Sequence, residues 1–344
     1  MEHRMKDSPS NKSDYSNMQL LSCLARKYID PDTKDRISSL LKNDPDWTQL
    51  FQNARFHGVI PLVYKNLGTF YTDAVPDEAL DKLSDSFLTN EQRNIFLTEL
   101  LLKLLDLFDR NNVPAISYTG PVLASTVYGD VAFRQFFDLD ILIREQDVEK
   151  AENLLLSQGY VDRWNRTGPF DRESKGARAF LSNDRKVHID LHWASTLMRK
   201  DFYYPNDDEH LWSKLNCVSV SGKSIDSVPP EVLLQILCIH GTRSYWEKLK
   251  WICDVAELLR TYKELDWVHV IDQASKLGNR RILFLGLWLA RDLLGAVLPL
   301  QVLQSIEADK VVALRGKQIR ERLLSETRGQ LKGSEHHYFY LAIK

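Results

Sequence analysis

The sequence predicts an α+β fold: a small mixed-sheet core flanked by N-terminal and C-terminal helical regions. Three observations carry that prediction. The centre of residues 134–144 alternates apolar and acidic side chains, and residues 186–193 alternate without a break, which is the period of strands buried on one face. From residue 18 to 108, and again beyond 229, apolar residues return at helical spacing. Gly120-Pro121 and Pro229-Pro230 punctuate the passages between the two regimes.

Taken in order, residues 1–16 are polar and are expected to form a disordered tail. Residues 17–110 read as an N-terminal helical region. Leu20, Leu21 and Leu24 share a face there, Asp46 is placed to cap a helix, and His57 before Gly58 reads as a turn histidine. The longest helix is expected from about 83 to 109, with Asn111-Asn112 ending it. Residues 111–228 read as the mixed-sheet core. Its first strand runs through Ile116 into Gly120, where Pro121 suits the first turn of a helix. Along residues 134–144, Phe137, Leu139, Ile141 and Ile143 fall on one side of a strand, with Asp138 and Asp140 on the other. Asp147 is expected to cap the following helix and Gly159 to stop it. The polar stretch 162–185 carries Arg163, Trp164, Arg166, Arg172, Lys175, Arg178 and Arg185, and reads either as a lid or as a solvated insertion.

The second alternating strand places Val187, Ile189, Leu191 and Trp193 inward, and His188, Asp190 and His192 on the polar side. A hairpin is expected around Ser221-Gly222. Residues 229–330 then read as a C-terminal helical domain, in which Leu249, Ile252, Cys253, Ala256 and Leu259 form an apolar stripe. The adjoining stripe of Glu247, Lys250, Trp251 and Asp254 is either a solvated face or a cleft wall with Lys250 or Arg243 on phosphate. His240 reads as a packed core histidine.

Composition narrows the partners. At 344 residues, two or three packed units are expected, and 44% hydrophobic with 27% charged residues is ordinary globular material. A formal net charge of −2 offers no long-range attraction to nucleic acid, whose binding is mainly phosphate neutralisation. Cys23, Cys217, Cys238 and Cys253 are scattered, without paired spacing or a signal peptide, which implies reduced thiols and a cytoplasmic protein. No apolar run reaches membrane-spanning length.

The chemistry lies in the acids. Two carboxylates as close as Asp138 and Asp140 raise each other's pKa unless a cation sits between them. A hard divalent ion such as Mg²⁺ takes oxygen ligands and also holds substrate phosphates. If the two alternating strands pair, Asp190 joins as a third acid, a set suited to two metals about 3.5–4 Å apart. His188 and His192 instead suit zinc or manganese, or simply line a polar sheet face. The Gly120 turn feeding a helix N-terminus is a natural seat for a triphosphate.

The order of these parts, a glycine turn, then Asp138-Leu139-Asp140, then Asp190, resembles the polymerase β-type nucleotidyltransferase superfamily. Arg134, the stretch from Asp147 to Gly159-Tyr160, Leu191-His192-Trp193, Pro230-Glu231, His240-Gly241 and Leu249 to Ala256 bring it closest to the uncharacterised bacterial nucleotidyltransferases. Thr119 stands where those relatives usually carry Lys, and Pro121 where the superfamily often has Ser. Arg134 is a candidate for the missing positive charge. The resemblance implies that Asp138, Asp140 and Asp190 are catalytic and bind Mg²⁺ or Mn²⁺. Candidate nucleotide-binding residues are Thr119, Gly120, Arg134, His192 and Lys250. The partners it implies are a nucleoside triphosphate, ATP first among them, and a hydroxyl acceptor on a small molecule, peptide or RNA. Two alternatives stand beside it: an Asp-x-Asp glycosyltransferase, and a degenerate protein that binds a nucleotide or partner without catalysis.

Overall fold

The computed structural model describes residues 9–163, 176–193 and 209–325. Five helices come first: α1 (Pro9–Leu24), α2 (Pro31–Leu41), α3 (Trp47–His57), α4 (Ile60–Phe70) and α5 (Asp77–Arg110). The core follows as β1 (Ala115–Ile116), α6 (Gly120–Leu123), β2 (Asp138–Ile143), α7 (Val148–Ser157), β3 (Val161–Asp162), β4 (Ala177–Leu181) and β5 (His188–His192). After α8 (Glu209–Trp212), β6 (Asn216–Val220) and β7 (Lys223–Ser227) form the expected hairpin, with Ser221 and Gly222 at positive φ in its turn. The helices α9 (Pro230–Arg243), α10 (Leu249–Thr261), α11 (Trp267–Lys276), α12 (Arg280–Leu294), α13 (Leu300–Ala308) and α14 (Lys310–Leu324) complete the order. The fold is α+β. Among the described residues no helix is long and apolar enough to cross a membrane.

The chain divides into two compact units. One comprises the described residues of Met1–Leu88, His240–Lys263 and Arg280–Lys344; the other comprises Thr89–Ile239 and Glu264–Asn279. Helices from both ends of the sequence share the first unit, because α1 packs on α12 and α14 as well as on its neighbours. Helix α1 begins at Pro9, inside the 1–16 stretch, and its continuation buries Met18, Leu20, Leu21 and Leu24. That buried face stabilises the helix by roughly 1.5–3 kcal/mol for each large apolar side chain.

Within the first unit, Asp46 accepts from the Gln49 amide at 2.9 Å, the expected cap of α3. His57 is buried and accepts the Leu249 amide on Nδ1 at 3.2 Å. The apolar stripe of α10 is buried as expected, but its neighbour is no solvated face: Asp254 is buried, and Lys250 and Trp251 are half-buried. His240 is half-buried, with its ring at the edge of Trp251. Arg26 is buried, donating to Thr33 Oγ1 and the Leu293 carbonyl, while Glu257 accepts the Lys27 amide and the Arg260 guanidinium.

The second unit holds a five-stranded sheet in the order β1-β2-β5-β4-β3. Only β2 and β5 run parallel; β1, β4 and β3 join antiparallel. Leu139, Ile141, Ile189 and Leu191 form one core cluster with Leu97, Leu101, Leu104 and Phe108 of α5 and with Val148, Ala151 and Leu155 of α7. The opposite sheet face carries the polar residues of β2 and β5. One inward assignment is corrected: Phe137 is 51% exposed, and Phe136 enters the core instead. The residue lies ahead of the strand proper, so strand alternation does not reach it, and Arg93 stacks on its ring at 4.3 Å.

Asp147 provides no side-chain cap to α7, whereas Gly159 does follow its end with φ 84°. Of the stretch read as a lid or a solvated insertion, Trp164, Arg166, Arg172 and Lys175 lie outside the described residues. Arg178 is on β4 and buried, donating to Glu152 at 2.6 Å and paired with Asp162 at 3.2 Å. It is a structural cation, not a lid residue.

Candidate active site

The parallel register of β2 and β5 sets Asp140 opposite Asp190, Asp138 opposite His188, and Leu142 opposite His192. In-register residues on neighbouring strands share a sheet face, and so do residues two apart. Asp138, Asp140, Asp190, His188 and His192 therefore gather on one side. On the far side of β5, the partners of Asp190 and His192 on β4 are Ala179 and Ala177, whose small side chains leave this face uncovered by bulk of their own. Asp138 is exposed; Asp140 and Asp190 are half-buried.

The charges are coupled. The Asp190 carboxyl is pushed up to about 6, first by burial, then by the negative charge of Asp140, with Asp138 adding less; His192 and His188 oppose the shift. Asp140 is held on both oxygens. Thr119 Oγ1 donates to its Oδ2 at 2.5 Å, and His192 Nε2 lies 2.9 Å from its Oδ1.

Local sequence explains how Thr119 arrives there. Gly120 has φ +51°, a conformation side chains disfavour, and a Cβ on it would stand 3.3 Å from the Asp138 carbonyl oxygen. The glycine thus lets the turn close directly onto the start of β2. Pro121 follows in the first turn of α6, and that short helix runs into a π turn at Ala124–Tyr128 before Gly129 takes φ 76°. Thr119 occupies the N-cap position of α6, yet its hydroxyl makes no cap hydrogen bond. It is spent on Asp140.

The structure brings Thr119, Gly120, Asp138, Asp140, Asp190 and His192 together. Arg134 is buried in the loop before β2. Lys250 belongs to the first unit, on α10. Two residues escaped the sequence reading. Asn90 and Asn94 of α5 are buried and staple that loop, donating to the carbonyls of Ala132 (3.1 Å), Val131 (2.6 Å) and Arg134 (2.7 Å). Two asparagines one turn apart on the helix face that carries Leu97 and Leu101 were the available signal, since buried amides need partners.

Among the described residues no group of three His, Cys, Asp or Glu side chains forms a ready-made metal centre. The cluster is open, with oxygen donors on Asp138, Asp140 and Asp190 and mutual repulsion that a cation would relieve. That donor chemistry fits a hard divalent ion such as Mg²⁺, whereas His192 already has Asp140 against its Nε2.

The family model described as an uncharacterised nucleotidyltransferase matches residues 43–295, a span that includes every residue of this cluster. Comparison with curated proteins gives no match.

Proposed function

The chain belongs to the uncharacterised nucleotidyltransferase family, and from that premise we propose that it moves a nucleoside monophosphate from a nucleoside triphosphate, ATP first among candidates, onto a hydroxyl acceptor with release of pyrophosphate. The observation that carries the reading is the register of β2 and β5, which sets Asp140 beside Asp190 with Asp138 on the same face. Those three carboxylates would hold Mg²⁺. When bound, the metal neutralises phosphate charge and lowers the pKa of the acceptor hydroxyl.

The chain's own residues supply the rest. Asp190 stands on the same face as Asp138 and Asp140, where its carboxylate oxygen would take the acceptor's proton. The Gly120 turn brings backbone close to the head of β2, where a triphosphate would lie. Arg134, in the same unit as the three acids, is the candidate cation for its charge. Incubating the protein with α-labelled triphosphates, Mg²⁺ and cell extract tests the reading, with label transfer in wild type and none in Asp138→Asn as the expected pair of results. Transfer undiminished in that variant would overturn it.

A second reading draws on the two contacts that engage Asp140. In it the protein binds a nucleotide without turning it over. Calorimetry separates the two, because Mg²⁺-dependent ATP binding with no pyrophosphate release on any acceptor belongs to the second alone.

A further inference from the structure

We infer that Thr119 is a positioning residue for Asp140, acting through that carboxylate and not through the nucleotide. Three observations lead there. The Thr119 hydroxyl donates to Asp140 Oδ2 at 2.5 Å, while His192 Nε2 meets Oδ1 of the same group at 2.9 Å, so both oxygens are fixed from opposite partners. An N-cap threonine ordinarily turns its oxygen to the free amides of its own helix, and this one does not. The Gly120 turn that delivers it stands against the Asp138 carbonyl, which ties the position of the hydroxyl to the strand bearing both acids.

A carboxylate braced on two sides loses the freedom to rotate before it meets a cation, and partners of this kind both orient a ligand and tune its basicity. Thr119 and His192 are then two struts on one acid. The strut on Oδ2 comes from the turn ahead of β2, and the strut on Oδ1 comes from β5.

This inference rests on the metal-dependent reading of the site. The test uses the full chain and Mn²⁺ alone, titrated by electron paramagnetic resonance without nucleotide. Thr119→Val, nearly isosteric, is expected to weaken Mn²⁺ binding about 10–100-fold, the usual effect of losing a partner that orients a ligand. Thr119→Ser, which keeps the hydroxyl, is expected to restore it. Binding of a non-hydrolysable ATP analogue at saturating Mn²⁺ should be unchanged in both. In an Asp140→Asn background, Thr119→Val should add no further loss. Mn²⁺ affinity equal to wild type in Thr119→Val would overturn the inference. So would weakened analogue binding with Mn²⁺ affinity intact, which would return Thr119 to the phosphates. If wild type itself binds no Mn²⁺, the metal-dependent reading fails and takes this inference with it, an outcome distinct from the other two.

Discussion

Asp140 and Asp190 face one another from adjacent parallel strands, one braced by Thr119 and His192, the other raised in pKa first by burial and then by its neighbour's charge. The two acids differ in their surroundings: Asp140 is held on both oxygens, and Asp190, without a cation beside it, is harder to ionise than an ordinary carboxyl.

Replacing any of the three acids by its amide should therefore remove transfer while leaving the fold. Asp138→Asn, Asp140→Asn and Asp190→Asn are each expected to lower turnover by at least about 10²–10³-fold, the scale of losing one preorganised electrostatic group. Thermal unfolding followed by circular dichroism should stay cooperative. A variant with full turnover would remove its acid from the proposed site.

Asp190 also makes a prediction about stability in metal-free protein. Its folded carboxyl titrates at about 6, against an ordinary value of about 3.9 for an unfolded chain. Between those two values the folded state binds more protons, so this group's contribution falls as pH rises and the penalty is complete above about 6. Asp190→Asn removes the charge, and is expected to stabilise the protein at pH 7–8 by on the order of 1–3 kcal/mol, with little difference near pH 3.5. Thermal melts across that range in the presence of a chelator would reveal it. A variant no more stable than wild type at pH 8 would contradict the assignment. Stabilisation by Asp190→Asn together with lost transfer is the expected pair, function and stability pulling in opposite directions at one residue.

Arg178 holds two buried carboxylates, Glu152 on α7 and Asp162 on β3, from its place on β4. Arg178→Ala removes the cation from both, and should cost roughly 3–5 kcal/mol in a urea titration. Exchanging all three for apolar residues of similar volume should recover most of that loss. Equal stability of Arg178→Ala and wild type would mean that water reaches this cluster.

Gly120 and Gly222 offer a matched comparison. Both have positive φ, but a Cβ at Gly222 meets nothing within 4 Å, while one at Gly120 meets the Asp138 carbonyl at 3.3 Å. Gly222→Ala should cost only the backbone strain, about 1–2 kcal/mol. Gly120→Ala should cost that and also reduce transfer, because it pushes the Thr119 turn away from β2. Transfer unaffected by Gly120→Ala would separate that turn from the chemistry.

The strands were legible because alternation is a local property: Ile189, Leu191 and Trp193 had to share a face whatever they met, and all three are buried. The Asp46 cap, the Ser221-Gly222 turn and the break at Gly159 were legible for the same reason. The α10 stripe was half legible. Its apolar side is buried as its spacing required, but the depth of Asp254 depends on what packs over it.

Local chemistry in the chain was enough to decide where it turns, which strand face carries acids, and that Asp138 and Asp140 project together. Only tertiary pairing decided that Asp190 stands against Asp140, that Thr119 spends its hydroxyl there, that Asn90 and Asn94 tie down the loop before β2, and that Arg178 is a core cation. Each of these depends on a partner remote in the chain. A side chain's own propensity says which bonds it is able to make, while the register of strands and the packing of helices choose among them.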